Sequence, residues 1–233
     1  MNNKLDQDFK ELNDYRGLGD NPVYVPPVLK DRPREWPLSK WAEAPESLGY
    51  CDFPVVQWRG VRLLKDPDTQ SAYHNLLHEM KPKTIIELGV FSGGSLMWFR
   101  DLTKLMGLDC QVIGADKDLS RCQIPDSEME NITLHEVDCT KLETLQPLLE
   151  KVEHPVLFID DAHRNTFNVM KWAVEGLLVK GDYFIIEDMI QSWHRYSPDL
   201  LEEYLAAFDD TLAMDMIFSN TCQQLEKGVF RRL

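Results

Sequence analysis

Three short runs of the chain are apolar almost throughout rather than at every second position: Thr84-Ile-Ile-Glu-Leu88, Pro155-Val-Leu-Phe-Ile159 and Tyr183-Phe-Ile-Ile186. A strand with one face in water alternates, whereas a near-continuous hydrophobic run belongs to a strand covered on both faces, as in a parallel sheet between helix layers. The segments between them fit that reading. Helices are expected over Thr69 to Met80, Gly94 to Met106, Leu142 to Val152, Asn165 to Leu178 and Pro198 to Phe208. Further strands are expected at Cys110 to Ala115, Ile132 to Val137, Leu212 to Phe218 and Gly228 to Arg232. The alternation predicts an α/β fold with a parallel sheet, helices on both faces and a final antiparallel strand. Right-handed crossovers then bring every strand-to-helix loop to one edge of the sheet.

This pattern begins only near residue 65. Upstream, Pro22, Pro26, Pro27, Pro33, Pro37, Pro45 and Pro54 rule out a long helix or central strand. Tyr24, Trp36, Trp41 and Trp58 make the same stretch too apolar for a free tail. Residues 1–64 are therefore expected to form an irregular arm or cap, and residues 65–233 the α/β domain. The arm is expected to pack on the core, on a second subunit or over the active site. A net charge of −14 argues against a nucleic-acid partner. No apolar run approaches the length of a membrane span, and the polar, acidic N-terminus does not read as a secretory signal. The five cysteines are odd in number and lack CxxC spacing, which points to reduced thiols in a cytoplasmic protein.

Acids end the strands. Glu87 closes the first run and leads into Gly89-Val-Phe-Ser-Gly-Gly-Ser95, a glycine turn at a helix start where the backbone can approach a ligand. Its spacing departs from the G-x-G-x-x-G of dinucleotide sites and disfavours a pyrophosphate ligand. Asp116, after the second strand, is placed to accept hydrogen bonds from ribose hydroxyls. Asp138, after the third, is placed to reach an adenine amine. Either aspartate alone could be a strand-end cap. The ordered set E-x-G…D…D is instead the pattern expected for S-adenosylmethionine in a class I methyltransferase, a Rossmann-like fold.

Asp160-Asp161 and Glu187-Asp188 end two runs expected to lie side by side, so their carboxylates could converge on one cation. Oxygen donors of this kind select a hard ion such as Mg²⁺. His163, three residues after Asp160, has the chemistry of a general base beside such an ion. His74 and His78 read as surface residues, His135 and His154 as structural. His194 could line the substrate pocket.

At these residues the chain resembles a known family. Ile85-Ile-Glu-Leu-Gly-Val-Phe-Ser-Gly-Gly-Ser95, Asp118-Leu-Ser-Arg-Cys-Gln-Ile-Pro125, Phe158-Ile-Asp-Asp-Ala-His163 and Asp182-Tyr-Phe-Ile-Ile-Glu-Asp-Met189 resemble the cephalosporin-hydroxylase-type methyltransferases. The likeness extends upstream through Arg16-Gly-Leu-Gly19, Asp31-Arg-Pro-Arg34 and Gln57-Trp-Arg-Gly60. It implies Mg²⁺- and S-adenosylmethionine-dependent O-methylation of a hydroxyl on a small secondary metabolite, as in antibiotic biosynthesis, by a homo-oligomer. It further implies Asp160, Glu187 and Asp188 as metal ligands and His163 as the base. The cofactor is expected against Glu87, Gly89, Phe91, Gly93, Ser95, Asp116, Asp138, Cys139 and Asp160. The alternatives are a non-haem iron hydroxylase, which needs two histidines and a carboxylate on its metal, and a catalytically silent relative of the fold.

Overall fold

A computed structural model describes residues 57–189 and 204–233. The arm up to residue 56, His194 and the first part of the helix expected over Pro198 to Phe208 lie outside the described residues. What is described of the expected arm opens with a hairpin, β1 (Gln57–Trp58) and β2 (Val61–Arg62). Arg59 and Gly60 both take positive φ, 52° and 87°, as a two-residue hairpin turn requires. The Trp58 indole donates to Asp101 Oδ2 at 2.8 Å, which ties the hairpin to the helix that carries Asp101.

Helix α1 (Pro67–Met80) starts two residues before its apolar spacing does. The Asp66 carboxylate accepts the Thr69 N–H at 2.6 Å and Pro67 follows the cap, a combination that fixes a helix start. The domain then runs β3 (Thr84–Leu88), α2 (Gly94–Leu105), β4 (Gln111–Asp116), β5 (Ile132–Glu136), β6 (Val156–Asp160), α3 (Thr166–Gly176) and β7 (Tyr183–Ile186). Two further strands, β8 (Leu212–Met214) and β9 (Val229–Arg232), complete it. The order across the seven-stranded sheet is β5-β4-β3-β6-β7-β9-β8. The first five pair in parallel, and β9 runs antiparallel to both neighbours.

Successive residues explain the continuous apolar runs. Ile85, Leu157, Ile159, Tyr183 and Ile185 enter one core layer with α1 and α2. Ile86, Phe158, Phe184 and Ile186 enter the other with α3. Both faces are buried, so both must be apolar. The chain leaves β3 toward β4 and β5, then crosses to β6 and β7 on the other side, which makes the β3–β6 junction a topological switch point. Leu88 lies level with Ala115 and Asp160, and Asp160 with Ile186, so these strand ends meet at one edge.

Two expected elements differ. Leu142–Leu149 is a 3₁₀ segment rather than an α-helix to Val152. Pro147 lacks the N–H that an α-helix would use, and the buried Leu145 and Leu148 fall three apart, matching the 3₁₀ period. The strand expected over Leu212 to Phe218 stops at Met214. The Asp215 carboxylate there draws in the N–H groups of Ile217 and Phe218, at 3.0 and 3.2 Å, and turns the chain.

Candidate active site

The glycine turn is held from both sides. A Cβ on Gly89 would come within 2.6 Å of the Asp161 carbonyl, and one on Gly94 within 1.9 Å of the Arg62 carbonyl. The turn therefore packs directly against the loop after β6 and the strand β2. Gly93, like Gly89, takes positive φ (85°), and Phe91 does so at 48°. Beneath the turn, Ser95 donates to Glu87 Oε2 at 2.5 Å. Arg62, Lys65, Gly89, Phe91, Ser95 and Asp161 are among the residues lining one cleft.

Asp116 is half-buried at the end of β4, where its two oxygens accept the N–H groups of Phe91 and Asp118 at 3.0 and 3.1 Å. Each oxygen keeps a lone pair for a further donor. Asp138 lies beyond β5, and its Oδ1 accepts from the Thr140 N–H and hydroxyl. That makes it the cap of its own turn, with Lys117 at 3.4 Å on the other oxygen. Cys139 is buried, its carbonyl accepts from Asn165 Nδ2, and burial pushes its thiol far above the usual range.

Around the ends of β6 and β7 the acids crowd together. Asp160 is fully buried and accepts the Ala162 N–H at 3.2 Å. His163 sits in a loop with φ 51°, not one turn along a helix as its spacing suggested, because α3 begins only after Asn165, itself at φ 55°. The His163 Nε2 lies 3.3 Å from Asp161 and 3.8 Å from Asp188. Donor atoms of Asp161, His163 and Asp188 all fall within 4.8 Å of one another, as metal ligands do. The group gathered by the fold thus shares Asp188 with the trio implied by the resemblance. Asp160 lies behind it, and Glu187 turns inward to Lys65 and Tyr73.

Lys65 is the cation at the centre. Its Nζ lies 2.7 Å from Glu187, 3.1 Å from Glu87 and 3.5 Å from Asp161. Reading the sequence missed it, because it stands at the very start of the expected domain, directly after the irregular arm and its Val61-Arg-Leu-Leu64. Tyr73 was hidden for a related reason: it lies in the apolar stripe of α1 with Ala72, Leu76 and Leu77. A polar-tipped aromatic or a lysine inside an apolar stripe is the signal that could have found both. His154 bonds Asp182 at the far end of the sheet, away from this cluster.

The charges do not balance. Among the described residues, the cations placed against Glu87, Asp160, Asp161, Glu187 and Asp188 are Lys65 and His163. Burial and then the Asp161 charge push Glu187 up to about 8. Burial, joined for Asp188 by the Asp161 charge, lifts both Asp160 and Asp188 to about 6. Burial opposes protonation of His163, yet Asp161, Asp188 and Asp160 outweigh it and raise the imidazole to about 9. Glu187 Oε2 is buried without a hydrogen-bond donor. An orphaned carboxylate oxygen amid excess negative charge is a place that a divalent cation fits.

A stability test follows. Glu187 and His163 are raised from ordinary values of 4.5 and 6.5 to about 8 and about 9. Both hold protons more tightly when folded, so their contribution is complete below the ordinary values and lost as pH rises through the folded ones. The metal-free protein is expected to lose thermal stability from about pH 4.5 to about pH 9, with Mg²⁺ restoring most of it at the alkaline end. A flat melting temperature across that interval would contradict the charge balance described here.

The strand order with its reversed last strand, the glycine turn at the switch point and the acids on neighbouring strand ends define a class I methyltransferase fold. A family model described as Rhamnosyl O-methyltransferase/CmcI matches residues 53–199, and the chain belongs to that family. It is 60% identical to a solved CmcI structure with Mg and SAM, covering 100% of this chain and 96% of that one at a TM-score of 0.84. CmcI with SAH is 63% identical over 91% of this chain and 100% of the other, with a TM-score of 0.80. The rhamnosyl O-methyltransferase of Mycobacterium leprae (strain TN) is 27% identical over 153 residues, 62% of this chain. That alignment takes in 65% of the mycobacterial protein, just under two thirds of its length.

Proposed function

We propose that the chain methylates a hydroxyl of a small secondary metabolite, with a divalent cation at Asp161 and Asp188 and His163 as the proton acceptor. The grouping of Asp161, His163 and Asp188 beside the glycine turn carries this reading. By its family the chain is an S-adenosylmethionine-dependent O-methyltransferase, and Mg²⁺ is its second cofactor. The rival iron hydroxylase expects two histidines and one carboxylate, whereas the gathered group has one histidine and two carboxylates.

When bound, S-adenosylmethionine supplies an electrophilic methyl group, and Mg²⁺ supplies the Lewis acidity that makes a hydroxyl easier to deprotonate. Asp116 would accept from the cofactor ribose on the lone pairs that the Phe91 and Asp118 N–H groups leave free. Ser95, locked to the buried Glu87, lines the cleft beside Gly89. Asp161 and Asp188 would hold the cation, with Oε2 of Glu187 as a candidate third donor. His163 receives the hydroxyl proton at Nε2, the nitrogen that faces Asp161 and Asp188. A bound cation would neutralise those carboxylates and so remove the pull that keeps the imidazole protonated. The acceptor is a hydroxylated small molecule, and the working form a homo-oligomer. No helix among the described residues is long and apolar enough to cross a membrane.

Incubation with S-adenosylmethionine, Mg²⁺ and hydroxylated acceptors should release S-adenosylhomocysteine, and EDTA should stop that release. Asp116→Ala should weaken cofactor binding by about 1.5–3 kcal/mol, the worth of a hydrogen bond to a charged group. Unchanged affinity by calorimetry would reject the ribose role.

A further inference from the structure

The cation site is braced by a segment that precedes the α/β domain. Leu63 and Lys65 are almost wholly buried, although the pattern of the domain begins only at residue 65. The segment is fastened along its length: Ser92 Oγ donates to the Arg62 carbonyl at 3.0 Å and Gln70 Nε2 to the Lys65 carbonyl at 2.7 Å. Gln224 joins it to the cation side. Its side-chain amide donates to the Leu64 carbonyl and accepts the Asp66 N–H, at 3.3 and 3.4 Å, while its backbone carbonyl accepts the Asp188 N–H at 2.7 Å.

That segment delivers Lys65 to Glu187. The Lys65 ammonium and the Tyr73 hydroxyl both donate to one oxygen, Glu187 Oε1. The other, Oε2, is buried and has no donor, and the Glu187 carboxyl lies within hydrogen-bonding reach of Asp161. Two donors on a single oxygen fix the plane of the carboxylate, so the remaining oxygen points in one direction. We propose that Lys65 and Tyr73 are positioning residues of the cation site, pinning Glu187 Oε1 so that Oε2 is presented to a divalent ion. This inference rests on the cation reading above and deepens it.

Packing alone would give Tyr73 the same burial. It packs edge-on against the rings of Trp98 and Phe99, with centroids 6.3 and 5.1 Å away. The test must therefore remove the hydroxyl and keep the ring. In Tyr73→Phe of the full chain, Mn²⁺ affinity measured by electron paramagnetic resonance should fall roughly 10–100-fold, the usual cost of losing a partner behind a metal ligand. Affinity for S-adenosylhomocysteine should not change. Tyr73→Phe carries the test, because Lys65→Met would also remove a positive charge from the cluster and so raise its pull on a cation. In a Glu187→Ala background Tyr73→Phe should cost nothing further, because its effect passes through Glu187. A folded Tyr73→Phe protein with wild-type Mn²⁺ affinity would overturn the inference and leave the cation site standing. Wild-type Mn²⁺ binding that Asp188→Asn leaves unaltered would overturn the cation site, and the inference with it.

Discussion

Replacing His163 with alanine is expected to lower kcat by roughly 10²–10⁴-fold, the usual worth of a positioned proton acceptor. The loss should shrink as pH rises, since hydroxide then takes over the deprotonation. Wild-type kcat/KM should fall toward low pH as the imidazole becomes protonated, and the variant should lack that limb. Two other roles are open to this residue, and each has its own signature. His163 lies close enough to Asp161 and Asp188 to ligate the ion itself, in which case Mg²⁺ affinity would fall together with kcat. It also occupies a left-handed backbone position at φ 51°, where its value could be conformational. His163→Asn separates the last case, because asparagine tolerates that conformation. Recovery of turnover by asparagine would remove the base assignment.

Asp161→Asn and Asp188→Asn are expected to reduce turnover to the level seen in EDTA, with cofactor affinity nearly intact. Each should weaken the divalent ion by more than the roughly 10–100-fold cost of losing a supporting partner, because each removes a charged donor. Asp188 has φ 51°, so the asparagine variant keeps the backbone of its loop. Asp160→Asn belongs in the same experiment. It separates the trio implied by resemblance, Asp160 with Glu187 and Asp188, from the group gathered around His163. An Asp188→Asn enzyme that is fully active in EDTA would end the metal reading.

The sheet was legible because burial on two faces leaves a mark that burial on one does not. The runs at 84–88 and 183–186 coincide with β3 and β7, and the run at 155–159 lies one residue from β6. Strand-end acids were legible for a related reason: in a parallel sheet every carboxyl end reaches the same edge. Helical spacing misled where local chemistry intervened, at Pro147, and the strand pattern overran at Asp215. Which of two adjacent acids faces the group was not legible. Asp160 and Asp161 differ by one residue, and the choice depends on where the strand stops and how the positive-φ loop at His163 turns.

Sequence by itself determined the parallel α/β architecture, the position of the glycine turn and the set of carboxylates at the sheet edge, because these depend on periodicity and local conformation. Only the tertiary structure decided that Lys65 and Tyr73 reach Glu187, that Gln224 joins Asp188 to the segment before α1, and that Asp161 stands beside His163. Lys65 and Glu187 are 122 residues apart along the chain. No local pattern records a contact at that distance; it exists because folding brings an apolar segment, with one charge at its end, onto the edge where the other charges collect.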